Sequence, residues 1–348
     1  MPPSVVLLAL FLTFGCTSED ETQRASPTQA ASPSSSPAAS APAVQKWPES
    51  TVHALHVPRN GRLWAGTDQG LFRWDGETGW EHLTVKGNAF QTQKFNLVKH
   101  LTEGPEGTLF AAHHNLYRSL DGGDTWQSLD DRVDRPGGGH SDVSLLLSTD
   151  AAIFAGFLQG VLLRSTNRGG LWSRVLGADS TSARALTDAP DGTLYAGLSD
   201  RYGEDGTLHR STDGGATWTR LPDPPIGFWS MVAAADGTLF GTGFEEGGVG
   251  LRAYRSDDAG KTWRPVSALE RVPALARDRE GHSVGLGMTG VFLRMGDSWT
   301  ALSVPDGRYR AFAEAPNGTR YLGTDEGILH ATDGGRWTPF RSRNPRDR

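Results

Sequence analysis

The chain has 348 residues, a formal net charge of −6 at pH 7 and a single cysteine. The acidic balance argues against general nucleic-acid binding, and one cysteine excludes a disulfide framework. With 44 glycines, 37% hydrophobic residues and no 3.6-residue apolar periodicity, residues 51–340 have an all-β composition.

The first 15 residues are predicted to be a signal peptide. A run of ten mostly apolar residues, from Val5 to Phe14, precedes Gly15-Cys16. It is too short to cross a hydrocarbon core of about 30 Å. The segment resembles a bacterial lipoprotein signal, which implies lipidation of Cys16 and an exported protein anchored to a membrane of the cell envelope. The alternative is a free cysteine in a cleaved or disordered arm.

Residues 16–50 are predicted to form a disordered tether. From Ser18 to about Gln45 the chain consists largely of Ser, Thr, Pro and Ala, which bury too little apolar surface to order the segment. The folded region is therefore expected over residues 51–340. A basic tail, 341–348, follows it.

An eight-residue pattern, S-x-D-x-G-x-T-W, recurs along the folded region. Full copies are Ser119 to Trp126, Ser211 to Trp218 and Ser256 to Trp263, and a degraded copy runs from Ser165 to Trp172. Successive copies start 46, 46 and 45 residues apart, which indicates a structural repeat. The glycines suit backbone with positive φ, and the Asp can accept hydrogen bonds from backbone N–H groups ahead of it, so each copy predicts a tight turn. We call these the Asp turns.

Alignment on the Trp of the turn extends the repeat to seven units. Each unit has the order strand, turn, strand, loop, strand, Asp turn, strand, and four strands in each of seven units predict a seven-bladed all-β propeller of antiparallel blades. The large indoles are expected at the blade interfaces. Closure of the ring by the seventh blade alone, or by a strand near Val44 to Trp47, remains open. The seven turn tryptophans are Trp80, Trp126, Trp172, Trp218, Trp263, Trp299 and Trp337.

The S-x-D-x-G-x-T-W elements resemble the Asp-box, or BNR, repeats of sialidases, two-propeller xyloglucan-degrading enzymes, sortilin-type receptors and propeller-shaped photosystem II assembly factors. The first unit, GRLWAGTDQGLFRWDG, is also similar to the propeller repeats of two-component sensor ectodomains. In the Asp-box family the turn is structural and remote from the substrate pocket. The resemblance therefore implies structural roles for Ser119, Asp121, Trp126, Ser211, Asp213, Trp218, Ser256, Asp258 and Trp263.

The face opposite the Asp turns, hereafter the candidate face, is predicted to bind a partner. In four-stranded antiparallel blades it carries the connections between blades and the loops after the second strands. Long segments, residues 86–96, 130–142, 199–206 and 242–250, are expected there as irregular loops. Mixed charges with aromatic side chains suit a protein or glycan. The candidate ligand-binding residues are His53, Lys99, His140, Arg184, Arg201, Tyr202, Trp229, Glu245 and Arg310.

These features favour a non-catalytic, monomeric exported propeller that binds a protein or glycan in envelope assembly, scaffolding or recognition. One alternative is a glycoside hydrolase. The sialidase resemblance implies an Arg triad and a Tyr nucleophile, for which Arg184, Arg310 and Tyr202 are the nearest candidates, and a glucanase-like enzyme would use carboxylates from 200–205 and 245–246. A second alternative is a photosystem II assembly-factor-like protein. No catalytic residue and no cofactor is assigned.

Two histidine-containing segments lie near the candidate face, His113-His114 and His140-Ser141-Asp142. Adjacent histidines in a strand are expected to point to opposite sides of the sheet and so to be unable to bind one ion together. The sequence therefore predicts no metal site.

Overall fold

Seven four-stranded antiparallel sheets follow one another along the chain. The computed structural model describes residues 50–340 except 78, 87–91, 95–96, 131–132, 134–141, 159, 178–181, 200–205, 246–249, 289 and 333–334. The first strands of neighbouring blades contact one another in a closed ring, which confirms the predicted seven-bladed propeller. No described residue belongs to a helix long and apolar enough to span a bilayer.

Each blade uses four consecutive strands, with the first strand innermost. The strands of the first three blades, with a hairpin between the first and second, are β1 Val52–His56, β2 Trp64–Thr67, β3 Gly70–Trp74, β4 Trp80–His82, β5 Thr84–Lys86, β6 Thr92–Lys94, β7 His100–Glu103, β8 Leu109–Ala112, β9 Leu116–Ser119, β10 Gln127–Ser128, β11 Val143–Ser148, β12 Ile153–Phe157, β13 Leu162–Ser165 and β14 Ser173–Leu176.

The last four blades have the same layout. Two 3-10 turns, Pro105–Gly107 and Ser267–Leu269, lie among the described residues. The strands are β15 Ser182–Asp188, β16 Leu194–Ser199, β17 Thr207–Ser211, β18 Thr219–Arg220, β19 Ser230–Ala233, β20 Leu239–Phe244, β21 Leu251–Ser256, β22 Arg264–Pro265, β23 Ala274–Arg277, β24 Ser283–Leu286, β25 Val291–Met295, β26 Ser298–Ala301, β27 Tyr309–Glu314, β28 Arg320–Thr324, β29 Gly327–Ala331 and β30 Thr338–Pro339.

The expectation that residues 86–96 form only irregular loop is wrong. β5 pairs with β6 in an antiparallel hairpin, with Thr84 opposite Lys94 and Lys86 opposite Thr92. β-branched threonines favour strand conformation.

Side-chain packing closes the ring between the first and seventh blades. Val52 lies so close to Gly323 that a Cβ on the glycine would stand 2.7 Å from Val52 Cγ1. Farther from the axis, the ring of Phe340 packs edge-on against Trp74 and Trp80, with centroids 5.0 and 5.9 Å apart. Among the described residues, each of these two blades supplies its own four strands and they share none.

The turn tryptophans pack against the preceding blade, as predicted. Trp126 meets Trp64 of the first blade edge-to-face at 5.9 Å, and Trp299 meets Phe240 of the fifth blade at 5.2 Å. Trp218 packs into an apolar cluster that contains Phe154 of the third blade. The indoles therefore act as wedges between blades; those that are buried are Trp80, Trp126 and Trp337, whereas the other four are half-buried.

The first Asp turn is held by its own side chains. Ser119 Oγ donates to Asp121 Oδ1 at 2.7 Å and accepts from the N–H of Gly123 at 2.8 Å. Thr125 donates to the same carboxylate through its backbone N–H, at 2.9 Å, and its hydroxyl, at 2.6 Å. The indole N–H of Trp126 donates to the carbonyl of Gly123 at 3.1 Å. These bonds account for the Ser, Asp, Gly and Thr of the pattern.

The carboxylate contacts recur in the other full copies. Thr217 donates to Asp213, and Thr262 to Asp258, in each case at 2.6 Å from the hydroxyl and 2.9 Å from the backbone. These bonds from Thr262, with one from Ser256, lower the pKa of Asp258 to about 2. The carboxylate is thus fully ionised and engaged within its turn at neutral pH.

Arginines at the ends of third strands join neighbouring blades, a feature that the sequence reasoning missed. Arg73 Nη1 donates to Asp124 in the turn of the next blade at 2.7 Å. Arg118 is buried, and its Nη1 donates to the carbonyl of Arg168 in the following blade at 2.6 Å. The sequence does contain an indication of these contacts, since an arginine stands immediately before the serine of each Asp turn.

Candidate functional site

Four innermost strands carry a β-bulge at the same level of the candidate face. The pairing register slips between Val52 and Ala54, and at the equivalent position of the third, fourth and seventh blades. In each case both flanking residues are buried, whereas the extra residue is exposed or half-exposed. Bulges re-aim side chains and are over-represented beside functional sites. The four extra residues are His53, Ser144, Arg184 and Arg310.

The four bulge residues belong to a ring of seven equivalent positions around the axis, one in each blade. Lys99 and Trp229 occupy this position in the second and fifth blades, where their N–H groups donate to Ala112 and Thr242 of the adjacent strands at 3.0 and 2.7 Å. Pro273 completes the ring in the sixth blade. The seven positions thus hold three permanent cations, one histidine and one tryptophan without an acidic residue.

Positive charge concentrates where the seventh, first and second blades meet. Burial lowers the pKa of His53, and the charges of Arg310 and Lys99 lower it further, whereas Asp68 and Asp325 act in the opposite direction. Arg310 Nε donates to the Asp325 carboxylate. The predicted residues His53, Lys99 and Arg310 are therefore brought together, and His53 is mainly neutral at pH 7.

A second group forms across the fourth and fifth blades. The guanidinium of Arg184 lies 4.3 Å from the ring centroid of Trp229, a cation–π contact. Trp229 also meets Phe244 at 4.7 Å in a T-shaped arrangement, yet 37% of its surface is exposed. The predicted residues Arg184 and Trp229 are thus brought together on one partly exposed surface.

Of the remaining predicted residues, Glu245 is the one that the structure describes. Glu245 accepts from Arg252 Nε at 2.8 Å, so its carboxylate is paired within its own hairpin. His140, Arg201 and Tyr202 lie outside the described residues. Arg184 and Arg310 stand three blades apart. Arg184 lies over the ring of Trp229, and Arg310 donates to Asp325, so each guanidinium already has a partner.

Exposed apolar side chains add to the candidate face. Leu158 and Met288 follow the second strands of the third and sixth blades, and their surfaces are 36% and 41% exposed. With Trp229 they account for half of the six large hydrophobic residues exposed among those described.

An apolar level lies two residues further along each innermost strand. The side chains there are buried or half-buried, and their strand partners occupy equivalent register positions in all seven blades. These positions therefore form an apolar layer next to the ring that holds the cations. The residues of this layer are Leu55, Leu101, Leu146, Leu186, Met231, Leu275 and Phe312.

A large cavity opens on the other face. It has a volume of about 840 Å³ and is lined mainly by turns that join first and second strands. Two of its arginines are engaged: Arg277 Nη2 donates to Asp188 Oδ1 at 2.8 Å, and Arg279 Nε donates to the carbonyl of Glu314 at 2.9 Å. These two guanidinium groups therefore already have acceptors within the fold.

The expectation that His113 and His114 point to opposite sides is wrong. β8 ends at Ala112, so both residues lie in the bend that follows rather than in the strand. Their rings meet edge-on with centroids 4.0 Å apart, and His114 Nδ1 lies 2.5 Å from Asp142 Oδ1. The alternation that separates neighbours in a strand does not apply in a bend.

No family model and no curated protein matches the chain. A structure of YCF48 bound to D1 peptide aligns with a TM-score of 0.59 at 16% identity, over 82% of this chain and 94% of that one. The extracellular domain of a hybrid two-component system from B. thetaiotaomicron aligns with a TM-score of 0.61 at 13% identity, over 81% of this chain and 40% of that one.

A streptogramin B lyase structure aligns with a TM-score of 0.58 at 12% identity, over 82% of this chain and 95% of that one. At these identities the likeness shows the fold alone. Because the neighbours include a sensor ectodomain, a peptide-bound protein and a lyase, the shared architecture does not select one activity.

Proposed function

We propose that this chain binds a partner protein on the candidate face, with Arg184 and Trp229 at the centre of the contact. The observation that carries the proposal is their stacked, partly exposed arrangement beside Phe244. Trp and Arg are the residue types that most often dominate binding energy at interfaces. Because the two are held together before binding, little side-chain entropy is lost on contact.

The chemistry of the face indicates which partner segment it accepts. Lys99, Arg310 and Arg184 form a cationic rim, and Leu158 and Met288 supply apolar contacts outside it. An extended segment that carries acidic and apolar side chains matches both features. The peptide-bound YCF48 structure supports the choice of a protein partner, since a propeller of similar fold holds a peptide.

The proposal includes the cellular setting inferred from the sequence. A signal over residues 1–15, a lipid on Cys16 and the tether that follows would place a monomeric propeller at the cell envelope, in assembly, scaffolding or recognition there. These segments lie outside the described residues and rest on sequence alone. A flexible tether of this length would let the propeller reach other proteins of the envelope.

Photo-cross-linking in intact cells tests the proposal. A benzoylphenylalanine in place of Trp229 in the full chain is expected to cross-link one protein, whereas the same probe in place of Leu171, which is 74% exposed on the Asp-turn face, is not. A third variant carries the probe in place of Met288, which is 41% exposed on the candidate face, and is also expected to cross-link the partner. Addition of Arg184→Ala to this third variant is expected to reduce its cross-link about tenfold or more.

Three outcomes would contradict the proposal. They are cross-links from position 171 alone, no cross-link from positions 229 and 288, and equal yields with and without Arg184→Ala. Turnover of fluorogenic sialosides or glucans by the purified chain would favour the hydrolase alternative. Retention on a glycan array that is lost on Trp229→Ala would assign the face to a glycan instead.

A further inference from the structure

We infer that His113, His114 and Asp142 form a binding site for a divalent transition metal, with zinc favoured by the ligand set. One ligand atom from each side chain lies within 4.8 Å of the other two. Two imidazoles and a carboxylate are the donors of many zinc sites, and three protein ligands leave a fourth position for water or a partner's side chain. This site is independent of the Arg184–Trp229 contact.

The backbone holds the three residues across the junction of two blades. The N–H of Val143 donates to the carbonyl of His113 at 2.7 Å, which joins the third blade to the second. Asp142 accepts from the N–H of Leu158 at 3.0 Å, and the N–H of His113 donates to Asn115 at 3.2 Å. The ligands are therefore fixed on the scaffold at their main chain.

His113 supplies an independent sign of an absent ligand. The residue is 5% exposed, and its Nδ1 is buried with no hydrogen-bond partner among the residues that the structure describes. A buried polar atom without a partner costs about 1–3 kcal/mol, so such atoms call for an explanation. A neutral imidazole nitrogen that is held in place and has a lone pair to give is the donor that zinc takes from histidine.

Only a small adjustment separates the observed arrangement from a zinc site. His114 Nδ1 and Asp142 Oδ1 are 2.5 Å apart, whereas ligand atoms around tetrahedral zinc with bonds of about 2.0–2.1 Å stand roughly 3.3 Å apart. Both side chains reach solvent, with exposures of 63% and 33%, so they can separate. The nearby charge of Lys99 opposes a cation, but this side chain is exposed and can turn away.

A second group of possible ligands, Asp278, Glu280 and His282, lacks these signs. The Asp278 carboxylate already accepts from the backbone N–H of His282 at 2.8 Å and faces its Nδ1 at 3.0 Å. The guanidinium of Arg320 lies 3.7 Å from the same carboxylate. Because its lone pairs are used and a fixed cation stands beside it, we do not propose a site there, and the group supplies a control.

The test is zinc titration of the full chain after removal of metal with a chelator. Calorimetry is expected to give one zinc per chain at the tightest site, and zinc is expected to raise the melting temperature. His114→Gln and Asp142→Asn are each expected to weaken binding at least tenfold, whereas the control His282→Gln leaves it unchanged. Cobalt in place of zinc is expected to show the visible absorption of a tetrahedral ion, lost in His114→Gln.

Because His114 is exposed and Asp142 is half-buried, the metal-free variants are expected to melt at the temperature of the parent, which separates loss of zinc from loss of fold. Absence of zinc binding by the parent would overturn the inference. So would equal affinity in the parent and in both His114→Gln and Asp142→Asn, or loss of binding in His282→Gln alone. The partner contact at Arg184 and Trp229 can fail or succeed without affecting these results.

Discussion

Nε of Arg164, in the third blade, donates a 2.8 Å hydrogen bond to the carbonyl oxygen of Gly214, in the turn of the fourth. Arg118 makes the equivalent bond one blade earlier, to the carbonyl of Arg168. Each guanidinium therefore fastens the turn of the next blade to the strand before it. The charge on the donor strengthens such a bond relative to a neutral one.

We expect Arg118→Met to lower the free energy of unfolding by about 1–3 kcal/mol, because the carbonyl of Arg168 loses its charged donor. The control Arg174→Met removes an exposed arginine whose bond to Gly177 stays within one blade, and it should change stability far less. Urea unfolding of both variants makes the comparison. Equal losses would show that the link between blades contributes nothing of its own.

Trp126→Ala is expected to destabilise the fold by about 3–5 kcal/mol, because it empties a site between two blades. Trp126 is 3% exposed and meets Trp64 edge-to-face. Trp218→Ala should cost less, since that indole is half-buried. Calorimetry or urea titration measures both. A melting temperature equal to that of the parent in Trp126→Ala would contradict the assignment of the indoles as wedges.

Alanine substitutions at two glycines distinguish the cost of backbone strain from the cost of a steric clash. Gly61 has a φ of 78° with nothing within 4 Å of a built Cβ, whereas Gly123 has a φ of 95° and its Cβ would lie 2.0 Å from the Trp64 ring. We expect Gly61→Ala to cost about 1 kcal/mol from the left-handed backbone alone. Gly123→Ala should cost several kcal/mol, since the indole must also move. Similar unfolding midpoints for the two variants would exclude the steric contribution.

Stability should fall as the pH drops below about 6.5, in part because of His56. Burial lowers the pKa of His56 to about 4, and the charge of Arg279 adds to this effect. The unfolded chain, with a pKa near 6.5 at this residue, therefore takes up the proton first, and at pH 5.5 this costs the folded state about 1 kcal/mol. His56→Gln should lessen the loss between pH 7 and 5.5 in urea titrations. An unchanged pH dependence would argue against a buried neutral imidazole.

The sequence repeat predicted the blades because its fixed period and its recurring tryptophan can both be read directly from the sequence. The sequence did not predict the bulges at His53, Ser144, Arg184 and Arg310, because one extra residue in an apolar run does not change the composition. His113 and His114 were misassigned because the strand ends one residue before them, which changes the direction of both side chains. The sequence did not predict the large cavity, because the turns that line it are far apart in sequence and come together only when the ring closes.

The seam between the first and seventh blades has a consequence for how the chain can be cut. Each blade is continuous in sequence, and contacts such as Val52 against Gly323 join the first blade to the seventh. The order of blades around the ring therefore does not depend on which blade comes first in the chain. A circular permutant with its new termini between any two blades would retain every strand pairing. Only the tether would change its point of attachment.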